Sequence, residues 1–291
     1  MSAQPIEDMV PGSFAWLQRM SASKVAAVMG LSPWTSPFSL WHELKGTVCK
    51  SAQTTVQSRG HYLEGAVTRW WSDQHIEFDI TCPAGSFEHP TVPRHTASPD
   101  GLVFNSDSDS TTPVALLEVK TSGSYDEWVD GVPVYYRVQC LWQLYVLGLR
   151  TCYVAVLTAG LEFREFVVEQ DETDLALIHA AVAAFMQSLD DDVAPSIDGH
   201  SETYATIRRM HPDIEDLDVE ISAELAGEFR TARAVADLAK AENARLTSLV
   251  ADAIGSGKRA VVGPDRIAYR KAGKPGVAPF LQAYPLPKES A

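Results

Sequence analysis

An α/β fold with a central mixed β-sheet flanked by helices is predicted by three stretches of the chain. Leu116-Leu117-Glu118-Val119-Lys120 closes an apolar run of strand length that begins at Val114. Residues 133–148 open on Pro133, a residue suited to a helix start, and carry Val138, Leu141, Trp142, Tyr145 and Val146 at helical spacing. Residues 152–157 and 163–168 are two more apolar strands, joined across Ala159-Gly160 as a hairpin.

The other elements follow in order. Residues 13–30 read as a first helix capped by Gly30, or as two helices divided at Ser21-Ala22-Ser23-Lys24. Residues 31–37 are turn-rich, 38–45 form a short helix, and 47–55 form a polar loop. A long helix spans 56–75. Short strands are predicted at 76–80, 85–89 and 94–97, and another at 100–104 after the turn Pro99-Asp100-Gly101. The polar segment 105–113 reads as a hairpin loop, because it lacks the glycine and closing glutamate of an EF-hand. Residues 173–189 form a helix, 201–210 a short helix, and 217–254 one long helix or two. A small hairpin is predicted at 259–262 and 266–270, and the Pro-rich chain from Lys274 reads as extended or loose. The domain boundary is expected near 190–200. It separates a core, residues 1–190, from a helical and β-hairpin appendage, residues 200–291.

Composition narrows the function. The 291 residues, 45% hydrophobic and 21% charged, suffice for a substantial core and exclude wholesale disorder. No apolar run is long enough to span a membrane, and the acidic N-terminus does not read as a secretory signal. Cys49, Cys82, Cys140 and Cys152 are scattered, without a C-x-x-C pair. That argues against a zinc knuckle or an iron–sulfur cluster and fits free thiols in a reducing cytoplasm. A net charge of −14 argues against a general nucleic-acid binder. The charge is uneven, however. Residues 171–220 hold thirteen acids against Arg208 and Arg209, whereas 221–291 hold eleven basic residues against seven acids. A local positive groove beside an acidic metal site is compatible with this balance.

The chemistry concentrates between Ser98 and Gln143. If 105–113 is a hairpin loop, Asp100 and Glu118 sit at the ends of adjacent strands, where two carboxylates can share a hard cation. The carbonyl of Val119 supplies a third oxygen. Side chains alternate along a strand, so Glu118 and Lys120 face the same side. There the ammonium can position a water and neutralise phosphate charge while the metal activates that water. Glu-x-Lys triplets are common as salt-bridged surface strands. The apolar flanks Leu116, Leu117 and Val119 distinguish this one, because a lysine on a buried strand needs a reason. Gln139 and Gln143, one turn apart, are either a polar stripe at a helix edge or amides that hold the water, the lysine or a phosphate. Glu64 is either a solvated helix carboxylate or one aimed at the metal, with Gly60 allowing close approach. Trp34 and Trp128 each admit two readings, core packing or stacking on a base, while Trp41 and Trp142 read as core. The basic set Lys258, Arg259, Arg266, Arg270, Lys271 and Lys274 is either a charged edge strand or a contact with phosphates or a neighbouring subunit.

In this order, the patches resemble the YqaJ-like phage recombinases of the PD-(D/E)XK nuclease superfamily, the group that includes the lambda-type alkaline exonuclease. The resemblance spans roughly residues 13–170. It rests on Arg19 with Ser21-Ala22-Ser23, on Gly60-His61-Tyr62-Leu63-Glu64, on Ser98-Pro99-Asp100-Gly101 with Glu118-Val119-Lys120, and on Pro133 with Gln139. It implies a restriction-endonuclease-like core. By resemblance, Asp100 and Glu118 ligate Mg²⁺ (Mn²⁺ being the alternative), Glu64 supports the metal, Lys120 acts on the water and Gln139 completes the site. Arg19, Ser21 and Ser23 hold the terminal phosphate, and Gln143 is grouped with the DNA contacts. Position 24 carries Lys rather than the acid usual after that serine. The implied activity is 5′→3′ digestion of double-stranded DNA ends in recombination or repair, with a single-strand annealing protein as partner and a homo-oligomeric enzyme. A structure-specific endonuclease and a non-catalytic DNA-end-binding or scaffold protein are the alternatives.

Overall fold

The computed structural model describes residues 3–8, 10, 12–49, 55–107, 111–274 and 276–285. Parts of the expected loops at 47–55 and 105–113, and the end of the Pro-rich tail, lie outside the described residues. The chain forms two units, Met1–Ile214 and Glu215–Ala291.

In the first unit the chain runs β1 (Gln4–Ile6), α1 (Phe14–Leu17), β2 (Met20–Ser21), α2 (Ala22–Val28), α3 (Pro37–Leu44), α4 (Thr55–Gln74), β3 (Phe78–Thr81), β4 (Ser86–Glu88), β5 (His95–Ala97), β6 (Gly101–Asn105), β7 (Ala115–Thr121), α5 (Val134–Leu147), β8 (Thr151–Thr158), β9 (Glu162–Glu169), α6 (Glu172–Asp190) and α7 (Ser201–Met210). The central sheet has five strands in the order β3-β6-β7-β8-β9. β7 and β8 are parallel and the other pairs antiparallel. A parallel pair needs a crossover, and α5 supplies it. Gly148, at φ 69°, ends that helix in the left-handed conformation that a glycine adopts without penalty.

Both faces of the central strands are buried, which explains why they read as unbroken apolar runs. Leu116, Cys152, Val154 and Val156 point to one face, under α2, α5 and α6. Leu117, Val119, Ala155 and Leu157 point to the other, where Val67 and Trp71 of α4 cover them. The period of two along β7 therefore sends Glu118 and Lys120 to the α5 side. A second sheet, in the order β1-β4-β5-β2, carries the N-terminal segment.

The helix expected over 13–30 is divided, the second of the two readings. Met20 N–H donates to the Arg94 carbonyl at 2.8 Å, and Met20 and Ser21 pair with His95 and Thr96 of β5. Lys24 seals the break. It is 3% exposed, and its ammonium donates to the carbonyls of Trp16 at 2.6 Å and Arg19 at 2.5 Å, at the exit of α1. A lysine suits the negative end of a helix.

The boundary expected near 190–200 falls later, after Ile214. The cause is α7, which is tied to α3. Thr203 Oγ1 donates to Ser36 Oγ at 2.6 Å, and Thr206 Oγ1 donates to Ser39 Oγ at 2.9 Å.

The second unit contains α8 (Ala223–Ile254) and a sheet of β10 (Arg259–Val262), β11 (Asp265–Lys271) and β12 (Phe280–Ala283). α8 is one helix. It starts later than 217 because Ser222 caps it, accepting the Leu225 N–H at 3.1 Å. Its own unit buries none of its side chains. The tail read as loose contains β12, which pairs with β11 from Ala268↔Ala283 to Lys271↔Phe280. Prolines on both sides of this four-residue strand disguise it in the sequence. Among the described residues, no helix is long and apolar enough to cross a membrane.

Gly101 sets the packing of β6 against its neighbours. A Cβ there would meet Ile80 Cδ1 at 2.9 Å and Leu117 Cβ at 3.3 Å. We expect Gly101→Val to lower stability by about 1–3 kcal/mol in urea denaturation; an unchanged midpoint would contradict this packing. His75 Nε2 meets Glu165 Oε2 at 2.6 Å, and Nδ1 meets Glu77 Oε1 at 3.2 Å. Desolvation pulls its pKa down, but the two carboxylates outweigh it, so the pKa lies above 6.5. The resulting stability is complete below 6.5 and is lost as pH rises through the higher folded value. His75→Gln should flatten that decline in denaturation midpoints measured from about pH 5 to 8.

Candidate active site

The site grows from one buried acid. Glu118 is 2% exposed on β7, and a carboxylate there needs donors. Lys120, two residues along on the same face, donates to Glu118 Oε1. Gln139 of α5 donates to the same oxygen, and Gln143 donates to Oε2 at 2.9 Å. The crossover helix thus brings two amides to the acid from consecutive turns of one face.

Asp100 stands at the entry to β6, next to β7. Its Oδ2 accepts the Val119 N–H at 2.7 Å. Burial and the neighbouring Glu118 push its carboxyl up to about 8, against the opposing pull of Lys120 and the Val119 amide. Burial acts to neutralise Lys120, but Glu118 and Asp100 raise its pKa, so the ammonium stays charged. Its Nζ lies 4.9 Å from the centre of the Tyr136 ring.

The structure therefore brings Asp100, Glu118, Val119, Lys120, Gln139 and Gln143 together. Gln143 differs from expectation. It is 0% exposed and bonded to Glu118, so it orients the acid and cannot be reached by DNA. Glu64 makes its side-chain contact with His61. Its Oε1 meets His61 Nδ1 at 2.9 Å, and its charge adds only the smallest contribution to the raised pKa of Asp100. Among the described residues, no three His, Cys, Asp or Glu side chains are grouped to hold a metal. Gly60 makes no close approach that requires a glycine: its Cβ position lies 3.5 Å from Thr121 Oγ1, an ordinary contact that alanine would tolerate.

Of the expected phosphate contacts, Ser21 ends β2 of the second sheet, Ser23 lies in the first turn of α2 and Arg19 precedes β2. Ser21 and Ser23 hydroxyls are 3.3 Å apart at the start of α2, and Ser21 makes no side-chain capping bond. β2 runs parallel to β5, whose chain continues through Ser98 and Pro99 to Asp100. Arg19 is committed elsewhere, its Nε 3.4 Å from Glu88 Oε1 and its Nη1 donating to the Ala15 carbonyl at 3.4 Å. Trp128 is fully buried, which removes it from stacking on a base, and Trp41 and Trp142 are core as expected. Tyr136 joins the site as a residue the motifs do not mark. Its signal was the spacing 136, 139, 143, one face of α5.

The donor set suits a hard divalent cation. Asp100, Glu118 and the Val119 carbonyl would supply oxygen ligands. Two acids close enough to raise one of their pKa values carry a repulsion that a cation relieves. Among the described residues, Gln143 Oε1 is buried without a partner beside Glu118, an acceptor that would suit a water of such an ion's shell.

A mixed sheet with an acid entering one strand and Glu-x-Lys on the next is consistent with the PD-(D/E)XK class of proteins. More specifically, residues 15–151 match the model of the YqaJ-like viral recombinase domain. The chain is 30% identical over 207 residues to the uncharacterized protein YqaJ of Bacillus subtilis (strain 168), covering 68% of this chain and 61% of that one. The aligned part thus spans about three fifths of that relative's length. Among solved structures, it is similar to the alkaline exonuclease LHK-Exo of Laribacter hongkongensis, at 22% identity and a TM-score of 0.48 over 67% of this chain and 95% of that chain. It is also similar to a phage-related exonuclease of Haemophilus somnus, at 10% identity and a TM-score of 0.45 over 60% of this chain and 94% of that chain.

The raised pKa of Asp100 has a measurable consequence. A folded value of about 8 against an ordinary 3.8 means stability that is complete below 3.8 and lost as pH rises towards 8. Without divalent cations, the wild type should lose stability across that window while Asp100→Asn, which keeps an acceptor for Val119, should not. Thermal denaturation at a series of pH values with a chelator decides it; parallel declines would contradict the assignment.

Proposed function

We propose that the protein is a metal-dependent deoxyribonuclease that digests double-stranded DNA from its ends, 5′→3′, in phage-type recombination or repair. The observation that carries the reading is the buried Glu118, held by Lys120, Gln139 and Gln143 beside Asp100. Mg²⁺, or Mn²⁺, held by Asp100, Glu118 and the Val119 carbonyl would lower the pKa of a water and stabilise charge on the phosphoryl oxygens. Gln139 and Gln143 fix the Glu118 carboxylate in one orientation. The Val119 amide does the same for Asp100. Lys120 stays charged at the edge of the pocket, able to hold the attacking water and to neutralise the scissile phosphate. Ser21 and Ser23 lie beside the strand that leads to Asp100, which suits a grip on the terminal phosphate.

A 3′ single strand left by such digestion would pass to an annealing protein. The apolar side chains of α8 that its own unit leaves uncovered suit assembly into a homo-oligomer, and free thiols suit a cytoplasmic protein.

Digestion of linear duplex with Mg²⁺ tests the reading. Glu118→Gln and Lys120→Ala should each lose about 100-fold or more in rate, chelation should abolish it, and closed circular DNA should survive. Full activity in both variants would sink the site assignment. A cut circle would point to an endonuclease, and metal-independent binding without product to a scaffold.

A further inference from the structure

We propose that Trp34 is the stacking surface for the nucleobase of the nucleotide whose phosphate meets Lys120, an inference that rests on the nuclease reading above. Trp34 is 57% exposed, on the loop between α2 and α3. Single exposed apolar residues are ordinary. Two observations set this one apart.

The first is its place in a line of rings that ends at the reactive amine. The Trp34 ring lies 5.0 Å from that of Tyr135 and 5.9 Å from that of Tyr136. Tyr136 in turn lies 4.9 Å from Lys120 Nζ. Trp34 is therefore linked to the ammonium through a single intervening ring, Tyr136. The other members of the line are occupied. Tyr136 stacks on the buried Trp128 at 5.5 Å, and the Tyr135 hydroxyl is bonded to Glu127. Trp34 alone of these four rings keeps more than half of its area open.

The second is that the loop is fixed before any ligand arrives. Ser32 Oγ accepts the amides of Trp34 and Thr35, both at 3.2 Å. The Ser32 carbonyl meets His200 Nε2 at 3.2 Å. Ser36 caps α3, accepting the Ser39 N–H at 3.0 Å, and also accepts the Thr203 hydroxyl. An exposed indole held this firmly loses little freedom on stacking. Every base has a π-face, so the contact would add affinity without sequence preference.

The test measures binding of fluorescein-labelled, 5′-phosphorylated oligonucleotides by anisotropy with a chelator present, so that nothing is cut. The oligonucleotides are intact or carry one abasic position, placed in turn at each of the first residues from the end. Trp34→Ala should weaken binding of the intact DNA by about 5- to 100-fold. Trp34→Phe should recover most of the loss. One abasic position should weaken wild-type binding as much, and at that position Trp34→Ala should cost nothing further. With Mg²⁺, Trp34→Ala should raise KM and leave kcat near the wild-type value. Unchanged affinity in Trp34→Ala, losses that multiply with the abasic loss at every position, or a wild type that binds no DNA would overturn the proposal. The two readings fail separately. A wild type that cleaves while Trp34→Ala binds normally defeats the stacking surface alone. Trp34-dependent binding without cleavage defeats the nuclease alone.

Discussion

A carboxylate buried on the central strand is the constraint around which the first unit is arranged. Glu118 can remain there only because three donors converge on its two oxygens. One comes from its own strand, two residues on. The others come from a helix that must cross the sheet at this height and present residues 139 and 143 on one face. The parallel pairing of β7 and β8 makes the crossover necessary, and α5 is the crossover. Removing the Lys120 ammonium would leave the buried carboxylate without its charged partner, a cost on the order of 3–5 kcal/mol in comparable buried pairs. The polar cluster and the hydrophobic core are therefore one construction. Leu116 anchors one face of the strand and Leu117 and Val119 the other, while Glu118 and Lys120 use the gap under α5.

The opposing charges in the cluster divide the work. Asp100 is held towards its neutral form by burial and by Glu118, while Lys120 is held charged by both acids. Such a pocket is short of positive charge, which a divalent cation would supply. Tyr136 closes one side of the lysine and links it to the aromatic line that reaches the surface at Trp34. An acidic chain can host this chemistry because the charge that matters is local.

Much of this was legible in the sequence. The apolar run ending in Glu118-Val119-Lys120 was readable as a strand because both its faces are buried. Periods of two and 3.6 placed Lys120 on the face of Glu118 and Gln139 on one helix face with Gln143, while the choice between a polar stripe and amides that hold the acid needed the fold. What was not legible depended on tertiary contacts. Lys24 looked like a departure from a phosphate-binding pattern, and it is a buried clamp on the end of α1. Gln143 looked like a DNA contact, because spacing fixes a helix face but not how deeply that face is buried. Arg19 pairs with Glu88, sixty-nine residues away, which no local pattern announces. The short strand β12 is flanked by prolines that mask it, and α7 joins the first unit through hydroxyl pairs that leave no hydrophobic signature.

The central claim is that the pocket between Asp100 and Glu118 holds a hard divalent cation. Crystals grown with Mn²⁺ in place of Mg²⁺ test it most directly, through anomalous scattering from the ion. The account predicts one strong peak at coordination distance, about 2.1 Å, from a carboxylate oxygen of each residue, with the Val119 carbonyl adjoining. Ordered density for both side chains with no peak between them, or a peak elsewhere with this pocket empty, would contradict it.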